Sequence, residues 1–289
     1  YAVEPRLGLR WEIRSNQSLS IGTGLHSQIQ PQYIYVVKSK LDDGTYTQTN
    51  KDLDLTRSYH AVLAYDRTLT PDMRLKVETY YQYLFDVPVE KRKTHFSVLN
   101  EGADFQVSGV DSLFNDGTGT NYGVEITLEK FYSRGYYFLL TGSFFESKYK
   151  GSDGVERNTA FNGNYVTNAL AGREWTIRNK NVLAINLKTT YAGGKRYIPI
   201  DLKESQISGE TEYDFDHAYE DRRKDYFRTD IKFAYRVNRK KATHEFALDI
   251  NNIFDTQNIF QQTYNAKTNS VKTEYQLGFL PIPMYKLTF

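Results

Sequence analysis

Residues 73 to 85 alternate without a break: Met73, Leu75, Val77, Thr79, Tyr81, Tyr83 and Phe85 fall on one side, and Arg74, Lys76, Glu78, Tyr80, Gln82 and Leu84 on the other. A period of two is the signature of a β-strand, and this run is about twice the usual strand of a soluble domain. Two more runs are as clean. Residues 6 to 14 set Leu7, Leu9, Trp11 and Ile13 against Arg6, Gly8, Arg10, Glu12 and Arg14; residues 226 to 237 set Phe227, Thr229, Ile231, Phe233, Tyr235 and Val237 against Arg228, Asp230, Lys232 and Arg236. Weaker alternation covers 18–26, 58–67, 121–129, 136–149, 163–176, 182–191, 243–254 and 283–289, which makes eleven candidate strands. Many run nine to thirteen residues, and a tilted strand needs about nine to eleven to cross a bilayer. A barrel wall needs only alternate residues to be apolar, because closure satisfies its backbone hydrogen bonds.

The connections alternate in length. Asn16-Gln17, Leu69 to Asp72, Phe131 to Gly135, Arg178 to Asn181 and Asn238 to Lys241 are tight turns, whereas 27–57, 87–119, 150–162, 192–225 and 255–282 are long and carry scattered Gly, Asp, Asn and Pro. Short turns on one side and long loops on the other form the pattern of outer-membrane barrels, with the turns in the periplasm. Trp11, Tyr65, Tyr81, Tyr83, Tyr122, Tyr191, Phe227 and Tyr235 lie on the apolar faces near strand ends, where rings suit the lipid–water interface. A soluble barrel would also alternate; strand length and loop asymmetry argue against it.

Composition agrees. Tyr 24 and Phe 17 stand in a chain only 39% hydrophobic, with mean hydropathy -0.62, so it is rich in rings and poor in the long apolar runs of a spanning helix. There are no cysteines, hence no disulfide framework and no thiolate metal site. The 37 basic and 35 acidic residues nearly cancel and give no reason to expect nucleic acid as a partner. The chain opens on Tyr1 without a basic or apolar leader, so the expectation is a chain processed or cut from something longer. Eleven is odd, whereas single-chain bacterial barrels generally have an even number of strands. The expected fold is therefore all-β, an antiparallel transmembrane β-barrel of about eleven strands forming part of a larger barrel.

The chain ends Tyr285-Lys286-Leu287-Thr288-Phe289. Tyr285, Leu287 and Phe289 share the outward face, and the ending resembles the terminal signal by which outer-membrane barrels are recognised for insertion. Glu4-Pro5-Arg6-Leu7-Gly8-Leu9-Arg10, Asp249-Ile250-Asn251-Asn252-Ile253-Phe254-Asp255 and the last strand together resemble, in order and spacing, the C-terminal half of a TonB-dependent outer-membrane receptor. Asn121 to Glu125, Tyr191 to Tyr197 and Tyr226 to Asp230 look most like receptors of the Bacteroidetes lineage. The resemblance covers residues 1–289 as one C-terminal barrel part and implies strands twelve to twenty-two of a 22-stranded barrel, with the plug and the TonB segment absent from this sequence. It also implies energised uptake of a scarce or bulky nutrient (siderophore, cobalamin, oligosaccharide or peptide). The partners it implies are membrane lipid, the barrel-assembly machinery, the TonB-ExbB-ExbD system acting through the absent N-terminal part, and a surface lipoprotein. No cofactor is called for.

Enzyme chemistry has little support. His26, His60, His95, His217 and His244 include no His-Glu-x-x-His pair, Gly22-Thr23-Gly24 and Gly117-Thr118-Gly119 are too short for a phosphate loop, and no Gly-x-Ser-x-Gly elbow is present. An outer-membrane barrel enzyme would need a Ser/His/Asn or Asp/His set near the strand tops; that class and a soluble all-β binding protein stay open as alternatives. Binding residues concentrate on loops held by a rigid scaffold. Tyr33, Tyr35, Arg92, His95, Phe96, Tyr197, Tyr213, His217, Tyr219 and Arg222, with Tyr46 and Phe105, mix rings and charges and suit a polar organic ligand. Asp214, Asp216 and Asp221, with Glu212 and Glu220, could hold a hard cation such as calcium, but lack the spacing of a calcium loop and read better as a solvated acidic stretch. Inward charges such as Arg74, Lys76, Glu78, Arg228, Asp230, Lys232 and Arg236 are expected to pair with opposite charges on facing strands.

Overall fold

The computed structural model describes residues 2–40, 43–103, 112–178 and 180–289. Eleven long strands form one antiparallel meander in which each strand pairs with its neighbour in sequence. They are β1 (Arg6–Arg14), β2 (Gln17–Gln28), β3 (Thr56–Thr70), β4 (Met73–Glu90), β5 (Leu113–Ser133), β6 (Tyr136–Lys150), β7 (Tyr165–Ile177), β8 (Asn181–Ala192), β9 (Tyr226–Asn238), β10 (Thr243–Asn251) and β11 (Leu280–Thr288). Among the described residues β1 and β11 each keep one edge unpaired, so the sheet stays open as part of a barrel.

The register carries the apolar side chains across the sheet in continuous rows. Leu9 lies opposite Ile21, which lies opposite Leu63, and the row continues through Thr79 and Val124 to Phe144. A second row runs Trp175, Leu183, Tyr235, Phe246, Tyr285. Beyond neighbours on the same face, such as Phe246 with Tyr285 at 5.2 Å between ring centroids, many of these side chains stand open. Leu7 is 72% exposed, Leu9 67% and Phe246 53%. A face of contiguous exposed apolar side chains is a liability in water and a requirement in lipid.

The opposite face is polar, and its charges do pair, though not only across strands. Arg74 binds Asp66 on β3, and Arg236 at the turn end of β9 binds Glu174 two strands away, with Glu245 at 3.9 Å. Lys76 instead pairs with Glu78 and Arg228 with Asp230, each at 2.7 Å along its own strand. Residues two apart on one face are about 6.6 Å apart, within reach of long side chains. The expected pairing across strands is thus joined by pairing along them.

The short turns fix the register. Arg134 and Gly135 both take positive φ, 52° and 80°, the twist that a two-residue hairpin favours. Lys130 ties neighbouring turns together: its ammonium lies 3.0 Å from Asp72, donates to Ser133 and sits 4.0 Å from the Tyr136 ring centroid. Hydrogen bonds from Ser133, Thr70 and Lys130 hold the Asp72 carboxyl well below the usual carboxylate range.

The strands differ from the periodicity at their loop ends. β5 begins at Leu113 rather than 121, because Gly117 and Gly119 let it lie against β4 and the loops: a Cβ on Gly117 would sit 2.4 Å from Val89 Cγ1, and one on Gly119 2.7 Å from Leu99 Cδ1. Glycine hides such a strand from an alternation search. β10 ends at Asn251, not 254. Asn252 and Asp255 take φ of 50° and 51°. The Asn252 amide group bonds the backbone of Thr256 and Leu277, and Asp255 Oδ1 accepts from Phe279 N at 2.8 Å. The Asn-Ile-Phe-Asp segment is thus a knot that closes the base of the last loop.

Helix is confined to the loops: Gln32–Val36, Leu202–Ser208 and the single 3-10 turns Val98–Asn100 and Phe215–His217. Ser39–Lys40 with Tyr46–Thr47, Ile259–Asn265 with Ser270–Tyr275, and Glu156–Asn158 on the edge of β6 are short strands within the long connections.

Candidate ligand-binding site in the loops

The best-buried apolar cluster lies among the loops, not on the wall. Tyr149 at the top of β6, 1% exposed, packs with Ala103, Ala160, Ala218 and Tyr219, flanked by Leu99 and Ile198. The Tyr149 and Tyr219 rings meet edge to face at 6.1 Å. This cluster joins the β4–β5, β6–β7 and β8–β9 connections into one platform.

Close backbone approach makes the platform possible. A Cβ on Gly193 would lie 1.7 Å from the Gly163 carbonyl oxygen, and one on Gly194 1.8 Å from that of Arg223. Arg196 then reaches across, donating to Asn162 O at 3.0 Å, Glu220 O at 2.5 Å and Tyr219 O at 3.3 Å. Burial, and then the neighbouring Arg222 charge, pull its pKa down. Asp225 accepts from Tyr165 OH at 2.6 Å, Tyr191 OH at 3.1 Å and Gly194 N at 3.2 Å, and the Tyr165 bond is the main cause of its lowered pKa. Asn162 and Asn164 share the Glu146 carboxylate. Asp201 caps the helix Leu202–Ser208, which Gly209 ends at φ 78°.

Above the platform is a cavity of about 920 Å³ walled by four of the five long loops, within the size range of small-molecule sites. Thr94 to Ser97 and Asn100 to Ala103 come from β4–β5, Asp153 and Arg157 from β6–β7, Lys195, Tyr197 to Ile200, Tyr213, Phe215, Tyr219 and Arg223 from β8–β9, and Phe260 to Thr263 with Val271 from β10–β11. His95 stacks on Phe215, centroids 4.6 Å apart and planes 17° from parallel. Its pKa is lowered, first by burial and then by the Arg157 charge. Arg157 pairs with Asp153 at 2.7 Å. The Arg223 guanidinium lies 5.7 Å from the Tyr197 ring centroid and donates to Phe260 O at 2.8 Å, tying the outer hairpin to the platform. Rings, a stacked cation, paired ions and the amides of Asn100, Gln261 and Gln262 suit a polar organic molecule with flat apolar faces.

The loop residues singled out by sequence divide into two groups. His95, Phe96, Tyr197, Tyr213 and Tyr219 line the cavity. Tyr33 instead bonds Glu101, and burial with that carboxylate drives its pKa up. Tyr35 accepts from Gln30 N. Arg92 is exposed and approaches Glu90 at 3.8 Å. Arg222 donates to Gly163 O at 2.9 Å and belongs to the platform. His217 pairs with Asp214 at 2.7 Å; that bond raises the imidazole pKa and lowers the carboxyl pKa. Tyr46 is exposed on its hairpin, and Phe105 lies outside the described residues.

The calcium candidates do not converge. Asp214 is engaged by His217, Asp216 faces the cavity, and among the described residues no three His, Asp or Glu side chains gather as a cation site. Alternation alone missed Arg157, Arg196, Arg223, Phe215 and Phe260, whose roles depend on contacts distant in sequence. The adjacent pair Gly193-Gly194 was the visible sign of a close approach. Ser58 Oγ lies 2.7 Å from His60 Nε2, a pairing the sequence reading missed, but the same nitrogen meets Gln82 at 2.8 Å and the His26 ring stands 4.4 Å away. These groups form part of the polar inner face.

The family model for TonB dependent receptor-like, beta-barrel proteins matches residues 1–253. Solved structures share the fold. The ferric yersiniabactin uptake receptor FyuA from Yersinia pestis aligns with a TM-score of 0.64 at 13% identity over 98% of this chain and 37% of its own. The ferripyoverdine receptor of the outer membrane of Pseudomonas aeruginosa gives 0.64 at 10% identity over 98% and 32%. The FrpB iron transporter from Neisseria meningitidis gives 0.61 at 14% over 99% and 39%. The chain thus spans about a third of the length of the structures it matches. No curated protein sequence matches it.

Proposed function

Because this chain belongs to the TonB-dependent receptor-like β-barrel family of the outer membrane, we propose that it is the C-terminal part of a receptor that takes up a scarce or bulky nutrient, and that the loop cavity is where the ligand is captured. The single observation that carries the capture site is the convergence of four loops on one cavity of about 920 Å³ lined by rings and paired charges. The remaining strands of a barrel of about 22 would cover the free edges of β1 and β11. A plug and a TonB-engaging segment would belong to the N-terminal part, and TonB-ExbB-ExbD would supply the energy. The segments Asn121 to Glu125, Tyr191 to Tyr197 and Tyr226 to Asp230 favour a receptor of the Bacteroidetes kind. The family consists of receptors and transporters, which sets the enzyme reading aside as the weaker one. The ligand class is a siderophore, cobalamin, oligosaccharide or peptide.

The test is uptake by cells expressing the full-length receptor, using four labelled probes: a ferric catecholate, cyanocobalamin, a maltooligosaccharide and a tetrapeptide. One probe should accumulate, its uptake should cease with a protonophore, and Tyr197→Ala combined with His95→Ala should weaken its binding by at least about tenfold, the loss of one buried ring contact. Uptake that ignores both the protonophore and the double substitution would defeat the proposal.

A further inference from the structure

Pro281 and Pro283 interrupt the last strand at alternate positions. Both lie in register with β10, Pro281 opposite Ile250 and Pro283 opposite Leu248. Opposed residues in an antiparallel pair alternate between those that exchange both backbone hydrogen bonds and those that exchange none. A proline has no N–H, so Pro281 and Pro283 must occupy positions that bond nothing to β10. Leu280, Ile282, Met284 and Lys286 therefore bond β10, while Pro281, Pro283, Tyr285 and Leu287 turn their backbone groups to the free edge. That edge offers carbonyls along its length but strand donors only from Tyr285 and Leu287.

The two ends of the edge also differ in side chains. Toward the loops, Ile282 and Met284 are exposed and fall on the inner face, in register with Asp249 and Ala247. The same face of β9 carries Arg228, Asp230 and Lys232. The loop end of β11 is thus apolar on both faces and short of two successive donors. The turn end has an ordinary donor pattern.

We propose that the free edge of β11 is a half-ladder seam: it takes one antiparallel strand of the same barrel, hydrogen-bonded at the Tyr285–Leu287 end and held at the Pro281–Pro283 end by the apolar packing of Ile282 and Met284. This rests on the reading that the chain is part of a larger barrel. The occupant is a barrel strand because backbone groups in lipid must be satisfied within the protein. It is not β1, since eleven alternating strands leave β1 and β11 parallel. The related structures, of which this chain spans about a third, have length enough to supply it.

The full-length receptor in lipid nanodiscs tests this by site-resolved hydrogen–deuterium exchange and by the heat-dependent shift of the folded barrel on electrophoresis. The Tyr285 and Leu287 amides should exchange as slowly as the Lys286 amide, which bonds β10. Pro283→Ala restores a donor and should raise the heat-unfolding midpoint by about 0.5–1 °C, the shift expected of one added hydrogen bond in a receptor of which this chain is about a third. A closed barrel whose Tyr285 and Leu287 amides exchange like loop amides would overturn the seam alone, as would a Pro283→Ala midpoint that stays or falls. A concentration-dependent dimer that protects those amides would assign the edge to a second copy. A full-length chain that never shows the heat-dependent shift would defeat the larger-barrel reading itself.

Discussion

Replacing Gly193 with alanine should pull apart the loop platform while leaving the membrane wall intact. The new Cβ would lie 1.7 Å from Gly163 O and 2.9 Å from Arg222 Nη1, and ordinary contact begins near 3.4 Å, so the two segments must part by about 1.7 Å. Three hydrogen bonds cross this gap: Gly193 N to Tyr165 O at 2.9 Å, Arg222 Nη1 to Gly163 O at 2.9 Å, and Arg196 Nε to Asn162 O at 3.0 Å. Loss of one or two of them at about 0.5–1.5 kcal/mol each, added to an overpacking cost of about 1–3 kcal/mol, gives a local loss of about 1.5–6 kcal/mol. Only the Gly193 bond to Tyr165, at the very top of β7, belongs to strand pairing, so the barrel should still fold. The platform should open instead, its closed population falling by at least about tenfold. Limited proteolysis of the full-length receptor reads this directly: cleavage within 193–225 should accelerate while the heat-dependent shift of the folded barrel persists. Gly22→Ala, where a Cβ meets nothing within 4 Å, is the silent control. A Gly193→Ala receptor as protease-resistant as the parent would refute the steric argument.

Two further outcomes follow from the register and the charges. Ile231 stands between Leu187 and Ile250 in the outer row, whereas Lys232 stands between Asn186 and Asp249 on the inner face; Ile231→Arg should therefore cost about 2–4 kcal/mol of folding into vesicles and Lys232→Ile far less, and the reverse order would show the faces to be misassigned. Asp214 raises the His217 pKa and is itself lowered by it, so the clasp is complete above the ordinary Asp range and below the ordinary His value, is lost at the acid end as pH falls through the depressed Asp214 pKa, and is lost at the alkaline end as pH rises through the elevated His217 pKa. Asp214→Asn should bring the His217 titration, followed by NMR, back down toward 6.5; an unmoved titration would rule out the pairing.

The wall was legible in the sequence because its cause is local. Lipid on one face and polar contacts on the other impose a period of two, so all eleven strands could be located from residues such as Leu75 and Arg74 alone. What stayed hidden was set by partners distant in sequence. The upper part of β5 reads as a glycine-rich loop until Val89 and Leu99 are seen to need Gly117 and Gly119. Asn251 ends β10 because Asn252 bonds the backbone of Leu277, well beyond any local window. The rings of the cavity could be picked out by type, as with His95, Tyr197 and Tyr219. Arg222 has the same composition signal and serves the backbone of Gly163 instead, because side-chain chemistry alone does not tell a ligand contact from a strut.

Wall and platform are also stabilised by different means. On the wall, side chains such as Leu7 and Leu9 stay mostly exposed; the strands are held by backbone ladders and by lipid. The platform has its own small core around Tyr149 and a set of side-chain bonds to backbone carbonyls from Arg196, Arg222 and Arg223. Three of the four cavity walls share that core. The fourth, the hairpin Ile259–Asn265 with Ser270–Tyr275, is tied to the platform by the Arg223 bond to Phe260 O and by Tyr264 N donating to Thr211 Oγ1 at 2.9 Å. A platform pre-formed in this way spares a ligand the entropy of ordering long loops, since ordering each residue costs about 1–2 kcal/mol. Under the proposed capture role, affinity would then depend on the rings and charges that face the cavity, while the hairpin, which lies outside the shared core, would set the limit on ligand size.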